Sequence, residues 1–205
     1  MWRDGETIMK IIRAGETDQD IRLDISKVFV DGFHQWLKFF SKDKEKLSKA
    51  FAHMFNLDVF YVAMDGDNVA GITACTDGRT PCVKLEKQPL RKHLGFIKGT
   101  TTLIILKKQF EEKPYPFEIE KGMGTIEFVA TSPKYRGRGV ATAIINHIVS
   151  ATPYSEYVLE VADTNETAVK LYQTLGFTEF MRVKEKHSKQ SGVNYLIYMK
   201  MVRGC

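Results

Sequence analysis

The sequence predicts an α/β protein in which strands and helices alternate within a single domain of 205 residues. Two patterns lead to this class: short β-rich runs recur along the chain, and amphipathic stripes with helical spacing separate them. A hydrophobic content of 43% and a charged content of 27% are those of an ordinary globular protein. A chain of this length supplies one sizeable hydrophobic core.

The first third of the chain predicts one strand, two helices and a hairpin. Residues 8–13 form the strand, residues 18–40 carry an aromatic stripe typical of a helix, and a second stripe runs from Leu47 to Phe55. Such stripes usually mark the core. Two β-rich runs at 59–63 and 69–74 follow, and the Asp-Gly turn between them is typical of an antiparallel hairpin.

Residues 79–122 interrupt the strand series between the third and fourth strands. The stretch from Pro89 to Gln109 is predicted to be partly helical and broken near Gly95 and Gly99. We interpret the segment as an insertion that lies over the sheet.

This insertion is unusually basic. Between Lys84 and Lys113 there are eight Lys or Arg residues against three Glu, an excess equal to the net charge of +5 for the whole chain. A solvated charged face is the ordinary explanation, and a field that attracts an anionic ligand is the alternative.

The remainder of the chain returns to alternating strands and helices. Asp163, with Glu166 three residues later, matches a capping box and is predicted to begin the second of two helices. Thr152-Pro153 ends the first of them, and Gly176 ends the second. The predicted elements are strand 125–131, helix 140–149, strand 157–162, helix 164–175, and two final strands at 177–184 and 195–201.

A glycine-punctuated basic loop joins the strand at 125–131 to the next helix. Gly137 and Gly139 permit backbone conformations closed to other residues, and the first N–H groups of the helix lack intrahelical partners. The helix dipole, Arg136 and Arg138 add positive charge, so the loop is suited to hold phosphate. A plain structural turn is one alternative.

A dinucleotide-binding fingerprint is a second alternative, since Glu160 could contact a ribose. It fails in detail because Thr142 stands at the third glycine position and five residues separate the strand from Gly137.

Two motifs in the right order resemble the GNAT superfamily of acyl-CoA-dependent N-acetyltransferases. Arg136, Gly139 and Ala141 fit the pyrophosphate motif Arg-x-x-Gly-x-Ala. Residues 165–177 are similar to the second signature, an Asn followed by Ala-x-x-Leu-Tyr-x-x-Leu-Gly-Phe. Together the motifs cover about residues 124–180.

The resemblance implies a mixed sheet of about seven strands with helices on both faces, splayed between the fourth and fifth strands. Acetyl-CoA, as co-substrate, would lie in that gap, with backbone groups of the fourth strand pairing with its pantetheine arm and loop amides holding its pyrophosphate. The implied binding residues are Val129, Ala130, Thr131, Arg136, Gly137, Arg138, Gly139, Val140, Ala141 and Asn165.

The resemblance also implies direct attack of a neutral amine on the thioester. Tyr172 matches the position that protonates the departing thiolate, a task that a phenol performs weakly unless its pKa is lowered. A structural aromatic is the alternative for Tyr172. Glu127 is the preferred general base, and Glu160 or a water-relayed base is the alternative.

The expected acceptor is a primary amine of a small molecule or a peptide. The basic insertion would suit an acidic acceptor or the 3′-phosphate of CoA, and would repel cationic acceptors. A non-catalytic acetyl-CoA sensor of the same fold is the competing function. Nucleic acid is not an expected partner, because few aromatic residues interleave with the cations of the insertion. The sequence leaves open whether the chain forms a homodimer.

Composition argues against several other classes. No run of about 18 apolar residues predicts a membrane span, and the N-terminus does not resemble a secretory signal. Three unpaired cysteines favour a reducing compartment, so we expect a cytoplasmic protein. Five dispersed histidines do not predict a metal site.

Overall fold

A computed structural model describes residues 9–186 and 188–204. Seven strands form one mixed sheet in the order β1-β2-β3-β4-β5-β7-β6. Only β4 and β5 pair in parallel; the other neighbours are antiparallel. The strands are β1 Lys10–Arg13, β2 Phe60–Asp65, β3 Asn68–Thr76, β4 Met123–Thr131, β5 Glu156–Ala162, β6 Thr178–Lys184 and β7 Tyr195–Val202.

The predicted strands are thus present, and the hairpin of β2 and β3 turns where its sequence indicates. Ile8, the predicted start of the first strand, lies outside the described residues.

Helices cover both faces of the sheet, as predicted. On one face, here called the α1 side, α1 (Arg22–Leu37) and α2 (Lys44–Phe51) build a core around Phe29, Phe51 and Phe55. On the opposite α5 side, α5 (Val140–Ala151) and α6 (Glu166–Thr174) pack with Ile144, Tyr157 and other apolar residues. A single turn, α7 (Ser188–Ser191), precedes β7.

The first helix is shorter than its aromatic stripe predicts. It spans Arg22–Leu37 instead of 18–40, and Phe40 is buried in the turn that follows. Phe29 and Leu37 lie in the core, whereas Trp36 is 36% exposed. The stripe is therefore correct for Phe29 and Leu37 and wrong for Trp36. It overestimated the length of the helix because turn residues such as Phe40 also contribute apolar side chains to the core.

Two helices lie between β3 and β4. They are α3 (Lys87–Leu94) and α4 (Phe96–Leu106), and a π-helical turn at Lys107–Glu111 follows. Gly95, at φ 86°, separates the two helices as predicted. The expected break at Gly99 is wrong: Gly99 lies inside α4, where a Cβ would approach the backbone of Arg91 to 2.7 Å. Its glycine permits close helix packing, not a turn.

None of the described helices has both the length and the apolar content that a membrane crossing requires.

Candidate active site

A gap opens between β4 and β5. The two strands pair from Met123↔Glu156 to Ile126↔Leu159, and both then continue without pairing to each other. Beyond this point β4 stays paired with β3, and β5 stays paired with β7. The predicted splay is confirmed, and the facing backbone groups of both strands are left without a ladder partner.

A β-bulge marks the start of the gap. Phe128 has φ 55°, the only positive value at a non-glycine among the described residues. Phe128 and Val129 together face Thr73 of β3, because the register shifts there. The ring of Phe128 packs 5.4 Å from that of Phe110 and 5.9 Å from that of Phe60, which holds the unusual conformation. A bulge re-aims backbone groups at such a place.

The glycine loop lies beyond the open end of β4. Gly137 and Gly139 both have φ 74°, and a Cβ at either position would meet nothing within 4 Å. The backbone N–H groups of residues 137–142 have no hydrogen-bond partner among the described residues. Because Val140 is buried against Gly71, the start of α5 is fixed and its N–H groups face outward. This is an anion-binding geometry.

The charged and polar residues of the loop divide into anchors and free groups. Tyr135 is buried, and its hydroxyl donates to Asp65 Oδ2 at 2.7 Å, which ties the loop to the end of β2. Arg136 Nε donates to the Thr131 carbonyl at 3.4 Å. Arg138 is exposed and lies over the Tyr135 ring, so its charge is available to a ligand.

Comparison with known proteins decides what this arrangement is. Residues 30–177 match the model of the acetyltransferase (GNAT) family, a range that contains the gap, the bulge and the glycine loop. The chain belongs to the GNAT family. Members of this acetyltransferase family generally use acetyl-CoA.

Solved structures of low sequence identity share the fold. An N-acetyltransferase from Staphylococcus aureus Mu50 superposes with a TM-score of 0.60 at 20% identity, covering 94% of this chain and 100% of that one. The ribosomal-protein-S18-alanine N-acetyltransferase from Escherichia coli gives 0.56 at 12% identity, covering 97% and 96%.

A sequence relative covers only part of the chain. An uncharacterized protein of Mycobacterium leprae (strain TN) is 33% identical over 79 residues. The matched region is 38% of this GNAT chain and 20% of that longer protein.

Glu127 lies at the gap on the α1 side of this GNAT sheet. Ile126 packs on the α5 side, so the next residue points the other way. Glu127 Oε1 accepts hydrogen bonds from the Tyr115 hydroxyl at 2.9 Å and from Thr125 Oγ1 at 3.2 Å. Burial raises the pKa of its carboxyl, and these hydrogen bonds partly oppose the rise.

Glu160 flanks the gap from the other strand. Leu159 packs on the α5 side, so Glu160 also points to the α1 side. The Tyr198 hydroxyl donates to its Oε2 at 2.5 Å, and Lys113 Nζ lies 2.5 Å from the same oxygen. The charge of Glu160 contributes to the raised pKa of Glu127, so the two carboxylates share one site.

Tyr172 is buried on α6, and its ring packs 6.0 Å from that of Phe177. Burial raises the pKa of its phenol. The lowered pKa that would make Tyr172 a stronger acid is therefore not found. The raised pKa makes the phenol a weaker acid, and the phenol stays protonated at neutral pH as an ordinary tyrosine does.

Asn165 begins α6, which corrects the predicted cap. Its Oδ1 accepts from the Ala168 N–H at 3.2 Å, the geometry of an N-cap. Asp163, the residue predicted to cap the helix, instead accepts a hydrogen bond from the Asn194 N–H at 3.1 Å. This bond links the end of β5 to the residue that precedes β7. The side-chain amide of Asn165 keeps its donors for another partner.

Sequence reasoning missed Lys113 and Tyr115 as site residues. Both belong to the end of the segment between β3 and β4, and sequence analysis identified only a turn there, from Pro114 and Pro116. The available signal was the pair of prolines, because each proline favours extended backbone at the residue before it, and those residues are Lys113 and Tyr115.

Proposed function

We propose that the protein transfers an acetyl group from acetyl-CoA to a primary amine, by direct attack with both substrates bound. One observation carries the proposal. A loop with two left-handed glycines and free N–H groups lies at the open end of a gap between two splayed strands. The loop fits a pyrophosphate, and the gap fits an extended arm that ends in a thioester.

The binding roles follow from this fit. The N–H groups of residues 137–142 would hold the pyrophosphate, with charge added by Arg136 and Arg138. Backbone groups of Val129, Ala130 and Thr131 would pair with the arm, as an added strand does. A Val129 N–H re-aimed by the bulge would donate to the thioester oxygen, and the free amide of Asn165 would contact the arm. When bound, acetyl-CoA supplies the activated acetyl group.

Two side chains would move the protons of the reaction. An amine must lose a proton before it attacks, and the raised pKa of Glu127 brings this carboxyl closer to neutral pH, where a general base works best. Tyr172, protonated at neutral pH, would return a proton to the departing sulfur. Tyr115 and Thr125 would hold the Glu127 carboxylate in position.

On the α1 side of the gap, which we take as the acceptor side, Glu127 and Glu160 supply carboxyl groups, and the Lys113 cation pairs with Glu160. A small-molecule or peptide amine would meet two carboxylates there. This favours amine docking through hydrogen bonds to carboxylate oxygens, and weakens the argument that the basic segment selects an acidic acceptor.

A second candidate is an acetyl-CoA-binding sensor without turnover. Residues 113–117 cross the acceptor side of the gap through contacts of Lys113 and Tyr115, which is the observation that favours this candidate. Binding is common to both candidates, so turnover separates them.

The whole chain is proposed to be one cytoplasmic domain in which residues 79–122 are an insertion into the GNAT fold. Cys75 and Cys82 are buried free thiols, which suits a reducing compartment.

The test is a screen for CoA release. The full chain is mixed with acetyl-CoA and pools of primary amines or short peptides, and free thiol is measured over time. We expect release above the acceptor-free rate with at least one pool. Binding of acetyl-CoA without release from any pool would favour the sensor, and absence of binding would contradict both.

A further inference from the structure

A short segment, residues 113–117, runs across the α1 side of the gap and is here called the strap. It makes one contact with each strand that borders the gap: Lys113 with Glu160 of β5, and Tyr115 with Glu127 of β4. Further along, Phe117 packs 5.4 Å from the ring of Tyr198 and 5.0 Å from that of Phe180. The strap is therefore held at both ends of its course.

The Lys113 contact places a primary amine of the chain beside the gap. Its Nζ lies 2.6 Å from Oε1 and 2.5 Å from Oε2 of Glu160. Glu160 comes one position after Leu159, the last residue of β5 that pairs with β4. Among the described ion pairs, Lys113 is the only lysine bound to a carboxylate that flanks the gap.

We propose that Lys113 is a self-acetylation site, modified by acetyl-CoA bound in this gap when no other amine is present; the inference rests on the proposed function. An amine held there has a much higher local concentration than an amine in solution. The Lys113 ammonium loses one proton to solvent by way of a gap carboxylate. Its nitrogen then forms the C–N bond of the amide as the C–S bond of the thioester breaks.

The second proton of the nitrogen goes to the departing sulfur, so the products are acetyl-lysine, CoA thiol and one released proton. Acetylation removes the cation from Glu160. That carboxylate is then available to the ammonium group of an external acceptor.

The experiment follows acetylation by peptide mapping after incubation of the full chain with acetyl-CoA and no acceptor. Lys107 is the matched control, because it lies in the same connection between β3 and β4 and pairs with Glu112 at 3.1 Å instead of with a carboxylate that flanks the gap. We expect Lys113 to be acetylated at least about tenfold faster than Lys107, as effective-concentration effects readily supply. The rate per molecule should not change with protein concentration.

Two variants distinguish self-acetylation in the gap from non-enzymatic acetylation by acetyl-CoA in solution. Gly139→Val, which should weaken acetyl-CoA binding, should slow labelling of Lys113 and leave Lys107 unchanged. Lys113→Arg keeps the cation and removes the nucleophile, so it should bind acetyl-CoA and release no CoA in the absence of an acceptor.

Equal acetylation rates at Lys113 and Lys107 would overturn the inference. So would a Lys113 acetylation rate that is the same in Gly139→Val as in the wild type. If CoA release with added amines persists in that case, the proposed function stands alone. If acetyl-CoA does not bind at all, the proposed function and the inference both fail.

Discussion

At the scale of single residues, burial decides what the ionisable groups of the site can do. Glu127 and Tyr172 are both withdrawn from water, and in both cases burial raises the pKa. The same physical cause has opposite effects on the two tasks: it makes the carboxyl a better base near neutral pH, and it makes the phenol a weaker acid. Sequence alone named Tyr172 through the family resemblance and Glu127 through its place on the fourth strand. It could not give their burial, which depends on contacts from distant segments.

Glu127→Gln should lower kcat/KM by about 10² to 10⁴, the usual contribution of a general base. In the wild type, the acidic limb of the pH profile should lie above the ordinary Glu pKa, because activity requires the ionised form. The limb should be absent from the variant. Steady-state kinetics from acid to neutral pH measures both effects, and an unshifted limb in the variant would assign the base to another group.

The same substitution makes a stability prediction. A carboxyl whose pKa is raised on folding contributes stability that is fully present below its ordinary pKa and lost as pH rises through the folded value. Glu127→Gln removes this loss. The melting temperature of the variant, relative to wild type, should therefore increase from acid to neutral pH, and thermal melts at a series of pH values would show it.

Tyr172→Phe tests the proton donor. The ring and its contact with Phe177 remain, so acetyl-CoA affinity should be kept, while kcat should fall by about 10² to 10⁴. A fall of less than about threefold corresponds to under 1 kcal/mol of barrier and would make Tyr172 a core residue only. The readout is kcat with the best acceptor from the amine screen.

At the scale of elements, the junctions of the strands make the site. The sequence predicted the strand, loop and helix around Gly137 and Gly139, because glycines and a basic loop are local signals. It could not predict that the bulge lies at Phe128, since that conformation depends on rings from other elements. The strap was missed for the same reason: the contacts of Lys113 and Tyr115 join positions 47 and 12 residues apart.

Gly139→Val and Arg138→Ala distinguish the contribution of the loop backbone to acetyl-CoA binding from the contribution of its charge. Gly139 has φ 74°, which a branched residue rarely adopts. A valine side chain at this position would project into the open space of the anion site. Arg138 is exposed, so its removal costs only screened charge. We expect a large loss of acetyl-CoA affinity for the first variant and a loss of about tenfold or less for the second, as measured by calorimetry. Equal losses would contradict a cradle made of backbone groups.

At the scale of the whole molecule, two cores on opposite faces of one sheet meet at the gap. The α1-side core reaches it through Phe128, and the α5-side core through Val129. A ligand in the gap would touch both cores and the loop at once. Periodicity predicted the class, the family resemblance implied a mixed sheet of about seven strands splayed between the fourth and fifth, and the sheet confirms both. What joins the two cores is long-range packing, which no local pattern encodes.

A ligand that binds only the folded state must raise the free energy of unfolding. At about 100 times its dissociation constant, acetyl-CoA should contribute about 2.7 kcal/mol. For a chain of this size, that corresponds to an increase of roughly 5 to 11 °C in melting temperature. NAD should give no shift, since the spacing of the loop glycines does not match a dinucleotide site. Differential scanning fluorimetry with each ligand is the measurement, and Gly139→Val, which should lose the shift, is the control. An equal shift with NAD, or none with acetyl-CoA, would overturn the ligand assignment.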